Sequence, residues 1–125
     1  MATVATGVVT TTDKRIFGTD KFPTWESVTV FTLISGDTTG TATIPIYGLL
    51  QTIIVKVSNM AGAAVTPNVS LTDNGDNTIW AVTGLAESTS YKYSVSEPLV
   101  TEVNLVLAFE DPVGAGTITV TLRGV

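Results

Sequence analysis

Residues 116–125 read Gly-Thr-Ile-Thr-Val-Thr-Leu-Arg-Gly-Val, with Ile118, Val120 and Leu122 at every second place and Thr117, Thr119, Thr121 and Arg123 between them. A period of two sends alternate side chains to opposite faces of an extended chain, so this stretch predicts a strand with one apolar and one polar face. A helix needs apolar residues three and four apart, which the stretch lacks. The same rule works upstream. Val103, Leu105, Leu107 and Phe109 share a face, and Ile53, Val55 and Val57 form a third inward row.

Extended along the chain, the alternation predicts strands near Ser27–Ile34, Thr41–Tyr47, Leu50–Ser58, Asn68–Asp73, Thr78–Val82, Tyr91–Val95, Thr101–Glu110 and Thr117–Arg123. Turn-forming residues separate them: Ser35-Gly36-Asp37, Tyr47-Gly48, Asn59 to Gly62, Asn74-Gly75-Asp76-Asn77 and Asp111-Pro112-Val113-Gly114. About eight short strands at this spacing, with no helical period, predict an all-β chain folded as an antiparallel β-sandwich, jelly-roll-like in its simplest version.

The first 26 residues have a different character. Lys14, Arg15 and Lys21 are half of all the basic residues, and they are mixed with Phe17, Phe22 and Trp25 and interrupted by Gly18 and Pro23. This predicts an extended N-terminal arm or edge strand over residues 1–26, in which Val4–Thr12 could pair, ahead of a sandwich domain over residues 27–125. Lys14, Arg15, Phe17, Lys21, Phe22 and Trp25 are the arm residues suited to contact a partner.

Composition narrows the function. The 125 residues fit one domain, and only 14% are charged, against about 25% in ordinary soluble domains. No apolar run approaches the roughly 20 residues of a membrane span. The start, MATVATGVVTTTDKR, lacks the basic and apolar regions of an export signal. With a net charge of −5 and no basic cluster larger than Lys14-Arg15, nucleic acid is a poor partner.

Histidine and cysteine are absent, which removes thiolate chemistry, disulfides and the usual base for a serine nucleophile. Neither Lys56 nor Lys92 sits in a Ser-x-x-Lys pattern. Asp73-Asn74-Gly75-Asp76-Asn77 offers hard oxygen ligands for calcium but lacks the acid at the twelfth loop position, and Asn-Gly between Leu71 and Trp80 predicts a hairpin turn. Glu87, Glu97, Glu102, Glu110 and Asp111 fall at strand ends and turns rather than as two carboxyls across a cleft. Gly114-Ala115-Gly116 precedes a strand, not the helix a phosphate site uses. Trp25, Trp80, Tyr47, Tyr91 and Tyr93 are the candidates for a sugar-stacking platform, although Trp80 reads as a core or interface residue and Tyr91 with Tyr93 as cross-strand packing. No cofactor is called for, and an enzyme is not the expectation.

Several strands are apolar on both faces. Val28, Val30 and Ile34 oppose Phe31 and Leu33, Ile54 opposes Ile53 and Val55, and Val106 and Ala108 oppose Leu105 and Leu107. A sandwich strand needs one apolar face, so the second predicts another layer, the arm or a neighbouring subunit.

The segment from Gly40 onward carries a family likeness: TATIPIYGLL, then the Ile/Val-rich QTIIVKV, the hairpin LTDNGDNTIW and the final GTITV. It resembles small tailed-bacteriophage virion proteins of the capsid decoration, or cement, type over about two-thirds of the chain. The resemblance implies a β-sandwich on the capsid exterior, bound to the major capsid protein and assembled as a homo-oligomer, a dimer or trimer. A tail, baseplate or fibre-tip module binding host glycans is the alternative.

Overall fold

A computed structural model describes residues 9–16, 24–33, 39–46, 48–59, 66–108 and 116–125, with the backbone alone over residues 9–16 and at residue 24. Nine strands make up the described fold: β1 (Val9–Ile16), β2 (Thr24–Leu33), β3 (Thr39–Pro45), β4 (Gly48–Val57), β5 (Asn68–Asp73), β6 (Thr78–Val82), β7 (Thr89–Leu99), β8 (Glu102–Ala108) and β9 (Gly116–Gly124). They form a five-stranded sheet in the order β1-β2-β9-β4-β7 and a four-stranded sheet in the order β3-β8-β5-β6. Every pairing is antiparallel.

The pairs β2·β9, β3·β8, β4·β7 and β5·β6 are nested, each inside the one before. The chain is thus one long hairpin, its tip at the turn between β5 and β6, folded over on itself into two layers. This is the jelly-roll arrangement that the strand spacing predicts. β1 adds a ninth strand on the outside of β2, in register from Val9–Phe31 to Ile16–Thr24.

The inward rows are those the alternation predicts. Ile53, Val55, Val57, Val103, Leu105, Leu107, Ile118, Val120 and Leu122 are buried, joined by Phe31, Leu33, Ile44, Leu50, Val69 and Leu71. Each such side chain contributes about 1.5–3 kcal/mol relative to exposure. Phe109 and Ile34 lie outside the described residues. A bulge between Leu50 and Thr52 shifts the register of β4 against both of its neighbours. It lets Leu50 and Ile53 both face inward, which strict alternation forbids.

Several strand boundaries differ from the sequence reading, β2 for instance beginning at Thr24 rather than Ser27, and two of the differences have a local cause. β7 runs on from Val95 to Leu99, because Leu99 returns to the core even though Glu97 and Pro98 interrupt the apolar pattern. Thr101 is not the first residue of a strand. It sits at φ 73°, and the Glu102 amide donates to the Val100 carbonyl at 3.1 Å. That is a γ-turn, strained for a β-branched residue.

Two hydroxyls enter the core on β2, Ser27 and Thr29. Ser27 Oγ finds no hydrogen-bond partner among the described residues, and a buried hydroxyl in that state costs about 1–3 kcal/mol. Ser27→Ala should therefore raise stability by about 1 kcal/mol, read as a higher urea midpoint at unchanged slope. A lower midpoint would mean that the hydroxyl has a partner after all.

Candidate interaction surfaces

Of the six arm residues named from sequence, the structure describes Trp25 in full and only the backbone of Lys14 and Arg15. Lys14 and Arg15 lie on β1, in register with Glu26 and Trp25. Phe17, Lys21 and Phe22 lie outside the described residues. Trp25 is in β2 and faces the core, 4% exposed, with its indole Nε1 donating to the Val125 carbonyl at 3.3 Å. Its ring is spent inside the chain and is not open to a partner or a sugar. The inward parity of β2 decides this: Trp25 shares a face with Phe31 and Leu33.

The outer face of the four-stranded sheet is assembled from register. Thr41, Val106, Ser70 and Ala81 form one row across it, Thr43, Asn104, Thr72 and Thr78 the next, and Thr39, Ala108 and Asn68 a third. None of these residues is charged. Thr43 Oγ1 donates to Asn104 Oδ1 at 2.9 Å across the β3–β8 pair, and Glu102 enters only at the strand end opposite Pro45.

On the five-stranded sheet the outward rows are Glu26–Arg123–Thr52–Ser94, Val28–Thr121–Ile54–Lys92 and Val30–Thr119–Lys56–Ser90. Val28, Val30 and Ile54 are half-buried, and each row carries charge: Glu26 and Arg123 in the first, Lys92 in the second and Lys56 in the third. Arg123 Nε meets Glu26 Oε2 at 2.7 Å, an exposed pair of the kind that contributes at most about 1 kcal/mol.

The Asp73–Asn77 segment is a turn. Asp73 Oδ1 accepts from the Gly75 and Asn77 amides, both at 2.9 Å, and the Asn77 side-chain amide lies 3.1 Å from Oδ1 and 3.0 Å from Oδ2. Both carboxylate oxygens are thus engaged by N–H donors, which is the reverse of what a cation needs. The positive φ falls on Asp76, at 62°, rather than on Gly75. The turn is therefore longer than the two-residue Asn-Gly form. Among the described residues no group of three acids gathers as a metal site.

The Asn77 amide, together with its side chain, holds the Asp73 carboxyl below its ordinary value of 3.8. A depressed carboxylate stabilises the fold above its unfolded value, and that contribution disappears as pH falls through the folded value. The turn should therefore hold at neutral pH and loosen only below pH 3.8. Amide resonances of Gly75 and Asn77 would move together in an acid titration; a transition well above that value would contradict the assignment.

One feature had no sequence signal. β6 and β7 are the outer strands of their respective sheets on the same flank, and they do not pair with each other. Trp80 of β6 reaches across to Tyr93 of β7, with ring centroids 5.1 Å apart and a 60° tilt, and Tyr91 stacks beside Tyr93 at 6.4 Å and 11°. Burial raises the Tyr93 phenol, and Tyr91 adds to the effect. The Tyr91 hydroxyl accepts from the Ala86 amide at 2.9 Å. The inward row of β7, Thr89, Tyr91, Tyr93, Val95 and Glu97, is half-buried throughout, where the matching rows of β4 and β9 are sealed. At its far end is a cavity lined by Asp73, Ile79, Glu97, Pro98, Leu99, Val100, Glu102 and Val103.

No protein-family model matches this chain, and no curated protein does. Among solved structures it is similar to a chain of the Bacillus endospore appendages that form disulfide-linked pili, at 14% identity over 99% of this chain and 96% of that one, with a TM-score of 0.43. It is also similar to the enzymatically active domain of tailspike protein 4 of bacteriophage CBA120 (13% identity, 96% of this chain, 18% of that one, TM-score 0.32). A third is a chain of infectious bursal disease virus, Gx strain (12% identity, 91% of this chain, 32% of that one, TM-score 0.34). The chain thus spans under a third of the tailspike and bursal-virus chains. Likeness at this level bears on neither activity nor partner.

Proposed function

We propose that this chain is a non-catalytic virion protein that decorates and cements the exterior of a bacteriophage capsid, as a homo-oligomer bound to the major capsid protein. The observation that carries the reading is the outer face of the four-stranded sheet, three rows wide and free of charge. A sheet face that meets only water is normally rich in charged side chains. A face of Thr, Ser, Asn, Ala and Val suits close packing against another protein surface, with hydroxyls available for hydrogen bonds across the contact. The sequence resemblance supplies the kind of partner. Many modest contacts repeated around a shell would hold such a subunit by avidity.

The glycan alternative is less well supported, because Trp25 is buried and the half-covered Trp80 is tilted at 60° against Tyr93 instead of lying flat beside it. Purified protein should bind expanded capsids that lack it and raise their rupture temperature; no binding to such shells would overturn the reading. Ser70→Lys, placed on the uncharged face, should weaken that binding at unchanged melting temperature, and full binding by this variant would remove the face from the contact.

A further inference from the structure

The flank between β6 and β7 has the properties of a receptor for an extended chain. Among the described residues neither bordering strand has a partner on its outer edge, so each offers main-chain N–H and C=O groups in strand geometry. Pro98, without an N–H, ends the usable edge of β7. Between the two edges runs an apolar floor: Val82 and Trp80 on one side, Tyr91, Tyr93 and Val95 on the other, all packed against the core yet only partly covered. From Tyr91 to Glu97 this track measures roughly 20 Å.

The far end of the flank is acidic. Glu97 and Glu102 line the cavity there, no lysine or arginine is among its lining residues, and neither glutamate makes an ion pair among the described residues. Asp73 also lines it, but its carboxylate is held by its own turn. Val100, 71% exposed, also lines the cavity, and its carbonyl closes the γ-turn at Thr101.

We propose that this flank receives an extended polypeptide segment of a partner protein, paired along the free edge of β7, with apolar side chains on the Trp80–Tyr93 floor and a lysine or arginine at the Glu97–Glu102 end. Strand addition supplies affinity through main-chain bonds, and the alternate side chains set register. Opposite charge at one end fixes direction. Two features favour a peptide over an oligosaccharide. The edges present backbone groups suited to a strand, and the two carboxylates ask for a cation that most sugars lack. The inference does not depend on what covers the outer faces.

The test uses the full chain and labelled peptides of about seven residues, alternating valine and threonine and headed by lysine or by glutamate. Anisotropy should show the lysine-headed peptides binding at least about tenfold more tightly. The double variant Glu97→Lys, Glu102→Lys should erase or reverse that preference while its melting temperature shows it folded. Bound peptide should slow amide exchange along β7. The proposal is overturned if no lysine-headed peptide binds at about 1 mM, if binding ignores the charge reversal, or if an oligosaccharide panel binds where the peptides do not. Trp80→Ala checks the floor independently, and full peptide affinity in that variant would also overturn it.

Discussion

Trp25→Ala should destabilise the chain by about 3–5 kcal/mol, the cost of emptying a large buried aromatic site. The ring is 4% exposed and its Nε1 donates to the Val125 carbonyl, so the variant loses both the packed volume and a bond that ties β2 to the end of β9. Trp25→Phe separates the two: it keeps most of the volume, and the lost hydrogen bond should cost only about 1 kcal/mol. Chemical denaturation of the isolated protein is the measurement. Its outcome also bears on function, because a tryptophan reserved for a partner would leave the isolated fold unchanged when removed. Equal stability of Trp25→Ala and the parent would place the ring outside the core.

Gly124→Ala should be comparably severe for a different reason. A Cβ built there lies 1.9 Å from the Leu49 carbonyl oxygen, 2.9 Å from its carbon and 2.7 Å from Trp25 Cζ2. Two of these atoms are backbone and cannot step aside as a flexible side chain would. The methyl would have to part β4 from β9, where the Leu49 amide donates to the Val125 carbonyl at 2.9 Å and the Val125 amide to the Leu49 carbonyl at 3.1 Å. A loss of about 3 kcal/mol is expected, at the upper end of overpacking costs. A near-neutral result would mean that the two strands separate there without penalty. Because Trp25 and Gly124 touch the same space, the double variant with Trp25→Ala should cost less than the sum.

Both sites show where sequence reading works and where it stops. Alternation placed Ile118, Val120 and Leu122 inward because a period of two leaves no other choice. It predicted the sandwich, and the Asn-Gly signal predicted the turn at the tip of the hairpin. Basic residues and a proline ahead of Trp25 group it with the arm, but parity within β2 governs its direction. The β4 bulge at Leu50 and the γ-turn at Thr101 leave no mark in composition, since each depends on what a partner strand does. The β6–β7 flank was invisible for the same reason. The sequence puts Tyr91 and Tyr93 on one strand face and Trp80 on another strand, yet their meeting depends on which strands end their sheets.

The nesting of the strand pairs also orders the folding of the chain. The β5–β6 tip closes across the short Asn74–Asn77 turn, whereas the β2·β9 pair joins residues about 100 apart in the chain. Closing long loops costs entropy before any contact repays it, so the inner pairs should form first and the outer pairs last. Folding on the millisecond-to-second scale follows. Substitutions near the tip, such as Leu71→Ala, should slow refolding. Those at Trp25 and Gly124 should act mainly by speeding unfolding. The residues that most secure the finished sandwich would then be among the last to arrive.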